Sequence, residues 1–246
     1  MEKSYYIEYY HLERNNWWFK ARMDILRSQV VKIANGRKDL NILNVGAATG
    51  ASSLMLQEFG TVTSIEYDED CFAFTKERVN IPLEIGSILD IKYPNNHYDL
   101  VCAFDVIEHV EDDQKAASEL IRVCKNNGYV LVTVPAFNFL WSEHDEINHH
   151  FTRYTRKKFT ELFQAANIDY ATYFNSILFF PIAAVRLLFK LIPVKRKGSG
   201  SDFSFSNAGW QNSILYPLFR MENAWIKRNI ALPFGVSILA RIKKPA

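Results

Sequence analysis

The sequence has few cysteines, Cys71, Cys102 and Cys124, and no C-x-x-C pair among them. Each falls in a stretch that reads as regular structure, so the expectation is reduced core thiols in a cytosolic protein. Charge of one sign is also lacking: 29 lysines and arginines stand against 27 acids, a net charge of +2. That balance gives no case for a nucleic-acid partner. A clean membrane span is missing too. Residues 177–194, ILFFPIAAVRLLFKLIPV, contain Pro181, Arg186 and Lys190, and charges at a bilayer centre are costly. The opening MEKSYYIEYYHLERNN is too charged and polar for a secretory signal, so export is not expected. No internal repeat is visible.

What is present is a chain of 246 residues, 48% hydrophobic and 23% charged, long enough for one domain with a large core. Its most informative stretch is LNILNVGAATG at 40–50. A buried strand, Leu40 to Val45, runs into a turn with Gly46 and Gly50 that opens a helix. A second strand, Thr61 to Ile65, delivers Glu66, twenty residues after the first glycine. Such a turn lets backbone approach an adenosine-type ligand, and the carboxylate accepts hydrogen bonds from ribose hydroxyls. A dinucleotide site wants a glycine two residues after the first, to admit a pyrophosphate. Ala48 stands there, and nothing cationic is near to meet phosphates. The loop therefore suits a cofactor without phosphate, such as S-adenosylmethionine, and disfavours a nicotinamide dinucleotide.

Strand-like and helix-like segments alternate from about residue 40 to 174. Helical periodicity covers Thr49 to Phe59, Glu69 to Val79 and Asp112 to Lys125, the last closed by Asn126-Asn127-Gly128. Strands are expected at IPLEIGS (81–87), YDLVCAF (98–104), GYVLVTVP (128–135), IDYATYF (168–174) and GVSILARIKK (235–244). YDLVCAF is almost continuously apolar, the mark of a sheet buried on both faces. Strands alternating with helices argue for a parallel sheet. Two segments stand outside the alternation: 137–154, dense in histidines and aromatics, and 176–232. The second contains the apolar stretch followed by KRKGSGS (195–201). The leading expectation for it is a helix over a cleft or against a partner subunit. A helix on a membrane surface, aided by Lys195, Arg196 and Lys197, stays open.

Taken in order, these motifs resemble the class I S-adenosylmethionine-dependent methyltransferases of the ubiquinone and small-molecule type, over about residues 40–174. NVGAATG resembles the family's first motif, departing at Asn44, where an acid is usual, and at Ala48. Glu66 matches the ribose-binding acid. GSILDIKYPNNHYDLV and FDVIEHVED resemble later motifs, with Ser87 where an aspartate often meets the adenine amine. The resemblance implies an α/β, Rossmann-like fold: a seven-stranded, mostly parallel sheet, helices on both faces and a helical insertion before the last strand. It implies an N-terminal helical cap (1–39), a cofactor-binding core (40–174), a helical insertion or lid (175–232) and a final strand (233–246). It assigns Asn44, Gly46, Ala47, Gly50, Glu66, Tyr67, Ser87, Ile88 and Asp105 to S-adenosylmethionine, with S-adenosylhomocysteine as product.

WSEHDEINHHFTRYT and NNWWFKAR resemble segments of a subset of that family met in surface-glycan and lipid-linked metabolism. They nominate Trp18, Arg22, Trp141, Asp145, Arg153 and Tyr154 for the acceptor, with Trp17 beside them on a closing helix. His150, His109 and Asp105 are the catalytic candidates; a hydroxyl acceptor needs a base for its proton, and the sulfonium needs only alignment and exclusion of water. Bland roles stand beside these: His109 as a cap, Trp17 and Trp18 as core, Arg153 as a partner of Asp145. His144, His149 and His150 with Asp145 match no familiar metal spacing, so no metal is expected. The implied reaction is O-methylation of a small molecule, sugar or lipid-linked glycan. A prenyl or lipid acceptor at the membrane, through 177–197, and a catalytically inactive cofactor-binding protein are the alternatives. The expected location is cytoplasmic, with peripheral contact at the inner face of a membrane left open, as is the oligomeric state.

Overall fold

A computed structural model describes residues 3–191 and 209–246. Two helices come first, α1 (Lys3–Asn15) and α2 (Trp17–Ala34), then β1 (Leu40–Val45), α3 (Ala51–Leu56), β2 (Gly60–Glu66), α4 (Glu69–Arg78) and β3 (Leu83–Ile85). The chain continues through β4 (Tyr98–Phe104), α5 (Asp113–Val123), β5 (Cys124–Pro135), α6 (Glu143–Ile147), α7 (Arg156–Glu161) and β6 (Asn167–Phe174). Helices α8 (Phe179–Leu191), α9 (Gly209–Arg220) and α10 (Asn223–Ile226) precede β7 (Ser237–Lys243). The seven strands form one sheet in the order β3-β2-β1-β4-β5-β7-β6. The first five pair in parallel, and β7 runs antiparallel between β5 and β6. This is the Rossmann-like, mostly parallel α/β sheet expected, with helices inserted before the last strand.

Period-two alternation sorts the strands' side chains into two cores. Leu43, Val101 and Val132 pack on one face with Leu120 and Val123 of α5. Ile42, Leu100 and Leu131 pack on the other with Ile25 and Leu26 of α2. All ten are fully buried, each contributing about 1.5–3 kcal/mol of transfer free energy. Local signals start the helices: Asn16 accepts from the Trp18 N–H, Asp68 from Cys71 and Asp112 from Lys115, at 2.8–2.9 Å.

The end of α5 differs from expectation. The helix stops at Val123 and Asn126-Asn127-Gly128 lie inside β5. Long-range pairing overrides the local stop signal here: the Asn127 N–H donates to Lys244 O and Lys244 N–H to Gly128 O. A Cβ on Gly128 would stand 2.9 Å from Asp99 O, so its glycine serves close strand approach. Helix α3 is also shorter than the periodicity suggested: Gly50 caps it, so it starts at Ala51, and it ends at Leu56.

The N-terminal helices and the insertion lock together over the sheet. Asn212 Oδ1 accepts from the Trp17 N–H at 2.8 Å, and Tyr216 Oη donates to Asp24 at 2.7 Å. Trp17 meets Phe219 edge-on, ring centroids 6.2 Å apart. No helix among the described residues is long and apolar enough to cross a membrane. Residues 192–197 of the stretch considered for membrane contact lie outside the described residues.

Candidate active site

The strand β1 delivers its chain into a left-handed turn. Gly46 has φ +70°, and a Cβ there would stand 2.5 Å from Val106 Cγ2, so both conformation and space require glycine. Its N–H and that of Ala47 donate to Ile65 O. Ala48 is also left-handed, φ +47°, the conformation that the missing middle glycine would adopt freely. Two bonds hold it there: its N–H donates to Glu66 Oε2 at 2.8 Å, and Thr75 Oγ1 donates to its carbonyl at 2.8 Å. Glu66 Oε1 accepts from the Tyr67 and Asp68 N–H groups at 3.0 and 3.1 Å. Burial pushes its pKa above the ordinary glutamate value, against the pull of these donors. A carboxylate accepts at about four positions, so Glu66 keeps room for a further donor such as a ribose hydroxyl.

Helix α1 braces this loop from outside. Arg14 Nη2 donates to Thr49 O at 3.0 Å, Thr49 Oγ1 donates to Glu13, and Tyr6 Oη donates to Asp68 at 2.9 Å. Burial pushes the Glu13 pKa up.

At the far end, Asp105 follows β4 in a left-handed conformation, φ +56°. Arg22 of α2 donates from Nη2 to Asp105 Oδ2 at 2.7 Å and to Thr133 Oγ1 at 3.2 Å. A turn of 3-10 helix, Ile107–His109, then sets Glu108 and His109 toward α6. Glu108 is fully buried, and neither carboxyl oxygen has a hydrogen-bond partner among the described residues. Burial first, and Asp105 second, push its pKa far up. His109 opens to the cavity, yet the protein around its ring and the neighbouring His150 push its pKa down to about 4. Its ring meets that of His150 edge-on, centroids 4.6 Å apart.

His150 is oriented by a buried network. Its Nδ1 lies 2.7 Å from Asp145 Oδ1, which Arg153 also engages through Nε at 2.7 Å, with Nη2 donating to Oδ2 at 3.0 Å. Asp145 also closes a capping box, accepting from the Ser142 N–H at 2.8 Å. Burial alone would raise its pKa; the His150 bond and the Arg153 charge hold it well below the carboxylate range.

One cavity of about 1160 Å³ joins the two ends along the carboxyl edge of the sheet, where parallel α/β folds hold ligands. Its wall includes Gly46, Glu66, Tyr67, Ser87, Ile88, Asp105, His109, His150, Arg153 and Trp18 from the residues nominated above. The structure places the others behind or beyond that wall. Asn44 lies under α3, its Nδ2 donating to Ser52 and Ser53 and its buried Oδ1 unpartnered. Ala47 and Gly50 shape the loop from behind. Arg22 and Asp145 hold wall residues through the bonds given. Tyr154 is buried, donating to Asp113 at 3.0 Å and meeting Phe159 edge-on in the core, and Trp141 is likewise away from the cavity. Tyr6, Tyr9, Asp68 and Glu108 line the cavity without having been nominated. For Glu108 the signal was its place between Asp105 and His109; for the tyrosines only the fold brings them in.

The fit to an adenosyl sulfonium rests on two observations: the Gly46 cradle and the spare acceptor position on Glu66. A protein-family model described as "Methyltransferase domain" matches residues 43–132, the stretch from β1 into β5. Over that stretch the chain matches the class I S-adenosylmethionine-dependent methyltransferases. Among relatives of this family, it is 27% identical over 126 residues to a probable S-adenosylmethionine-dependent methyltransferase of Mycolicibacterium smegmatis, covering 50% of this chain and 48% of that one. It is 27% identical over 112 residues to a demethylmenaquinone methyltransferase of Listeria welshimeri, covering 42% and 48%. The chain thus spans about half the length of the relatives it matches. A solved structure, a putative sarcosine dimethylglycine methyltransferase from Galdieria sulphuraria, shares the fold with TM-score 0.59 at 17% identity, covering 93% of this chain and 85% of that one.

Proposed function

We propose that this methyltransferase moves the methyl group of S-adenosylmethionine to a hydroxyl on an acceptor carried by a large apolar group. The observation that carries this reading is the shape and chemistry of the cavity. Its 1160 Å³ exceed the roughly 300–1000 Å³ that holds one drug-sized ligand, leaving space for cofactor and acceptor together. Gly46, Glu66 and Ser87 mark the adenosyl end; Glu108, His109 and His150 mark a polar acceptor end. Trp17, Trp18, Leu178, Ile182 and Val185 add mainly apolar surface to the wall. When bound, the cofactor supplies an activated methyl group. The residues' task is alignment and exclusion of water, with α2 and α8 as the roof.

An acceptor on a lipid is favoured over a free sugar because α8 is apolar on its outer side too: Phe180 is 66% and Leu188 56% exposed. Likeness to a protein named for demethylmenaquinone supports a quinone-type acceptor within that class. The test is incubation with methyl-labelled S-adenosylmethionine and either a lipid extract or soluble sugars and phenols. Label is expected in the organic phase. Transfer to the soluble set alone would overturn the lipid assignment; no S-adenosylhomocysteine binding at millimolar ligand would overturn the methyl-transfer reading itself.

A further inference from the structure

We infer that Glu108, His109 and His150 form a binding site for a divalent transition-metal ion, of the zinc, manganese or cobalt kind, at the acceptor end of the cavity. One ligand atom from each, a carboxyl oxygen and two ring nitrogens, lies within 4.8 Å of the others. Three ligands about 2.1 Å from a tetrahedral ion stand about 3.4 Å apart, so small side-chain rotations close the site. The side-chain run that the sequence offered, His144 to His150, contributes only its last member; the other two come from the turn after β4, brought alongside by the Phe151 N–H donating to Glu108 O at 2.8 Å.

An independent observation points to a cation. Glu108 is fully buried with both carboxyl oxygens unpartnered, and a buried polar group without a partner costs folding free energy. It faces the cavity, where a ligand can reach it. The two imidazoles are positioned as metal ligands usually are. His150 gives Nδ1 to buried Asp145, which leaves Nε2 for an ion, and His109 hydrogen-bonds the Asn148 backbone; such outer partners fix a ligand's ring. Two nitrogens with one oxygen suit borderline ions, whereas magnesium and calcium prefer oxygen ligands throughout. Three protein ligands also leave coordination positions open toward the space proposed for the acceptor.

The test is binding of cobalt(II) to the metal-free full chain, read by its visible absorption and by calorimetry, with zinc and manganese as competitors and S-adenosylhomocysteine binding measured on the same samples. One ion per chain is expected. Glu108→Gln, which keeps the buried volume, and His109→Gln are each expected to weaken it at least tenfold, and His149→Gln to leave it unchanged. Absence of cobalt, zinc and manganese binding at millimolar ion would overturn the site, as would affinity indifferent to Glu108→Gln and His109→Gln. S-adenosylhomocysteine titration shows whether each variant is folded. The site rests on the ligand geometry and not on the methyl-transfer reading: ion binding without S-adenosylhomocysteine binding would sustain the one and overturn the other.

Discussion

Arg22 and Asp105, 83 residues apart, meet at 2.7 Å and join the N-terminal helix α2 to the end of β4. The partners differ in burial: the Arg22 side chain is 7% exposed and that of Asp105 30%. Removing either therefore has unequal consequences. Asp105→Ala strands a buried guanidinium, for which a loss of about 3–5 kcal/mol is expected, whereas Arg22→Ala leaves a carboxylate that water can reach and loses about 2 kcal/mol. Denaturant unfolding of the two variants checks the order. Equal losses would mean that the pair is more solvated than its geometry indicates.

Gly46 and Gly36 offer a matched comparison, since both have positive φ, +70° and +87°. An added Cβ meets nothing within 4 Å at Gly36 but Val106 at 2.5 Å at Gly46. Gly36→Ala is expected to lose only the left-handed penalty, about 1–2 kcal/mol, with cofactor affinity intact. Gly46→Ala is expected to lose more and to weaken S-adenosylhomocysteine at least tenfold by calorimetry. A Gly46→Ala protein with normal affinity would show that Val106 yields freely.

The sheet was legible because burial on both faces writes itself as runs such as YDLVCAF, and the glycine turn because only a few residue types tolerate its φ. The bracing of that turn by α1 was not legible. Tyr6–Asp68 and Glu13–Thr49 span 62 and 36 residues, and no local pattern encodes a partner so far away. The end of α5 misled for the converse reason: Asn127 and Gly128 carry a helix-stop signature, yet their hydrogen bonds go to Lys244. Glu108 was not nominated although it stands between Asp105 and His109; the turn after β4 buries it.

Glu66 gives a pH dependence with a definite sign. Burial raises its pKa above the ordinary 4.5, and the ionised form is the stronger acceptor for the ribose hydroxyls it is proposed to hold. Cofactor affinity is then full well above that raised pKa and declines as pH falls through it, beginning at a pH higher than an exposed glutamate would dictate. Calorimetric titration of S-adenosylhomocysteine from pH 8 to 5 checks this, with Glu66→Gln expected to bind weakly at every pH. A decline identical in Glu66→Gln would assign the titration to another group.

The thiols are expected to be inert in the native protein. Cys102 and Cys124 are fully buried and Cys71 is 6% exposed. Burial pushes the Cys124 pKa up to about 12 and the other two further up, and it is the thiolate that reacts. A disulfide reagent at pH 8 is expected to label none of the three before unfolding and all of them in denaturant. Fast labelling of Cys71, which borders the cavity, would mean that the region between α1 and α4 opens in the native state.

Asp145 holds Arg153 and His150 at once, and its substitution separates charge from packing. The Asp145 side chain is fully buried and that of Arg153 is 3% exposed. In Asp145→Asn the amide keeps the volume and one acceptor oxygen, but the negative charge that balances buried Arg153 is gone. A loss of about 3–5 kcal/mol is expected, because an uncompensated buried charge costs more than the pair contributed. Replacing the cation as well, with Arg153→Met in the Asp145→Asn background, removes the stranded charge and fills its space. The double variant is therefore expected to be more stable than Asp145→Asn alone, and the coupling is read from a double-mutant cycle in urea. Additive losses would show instead that Asp145 acts through the Ser142 cap and His150, with Arg153 a bystander.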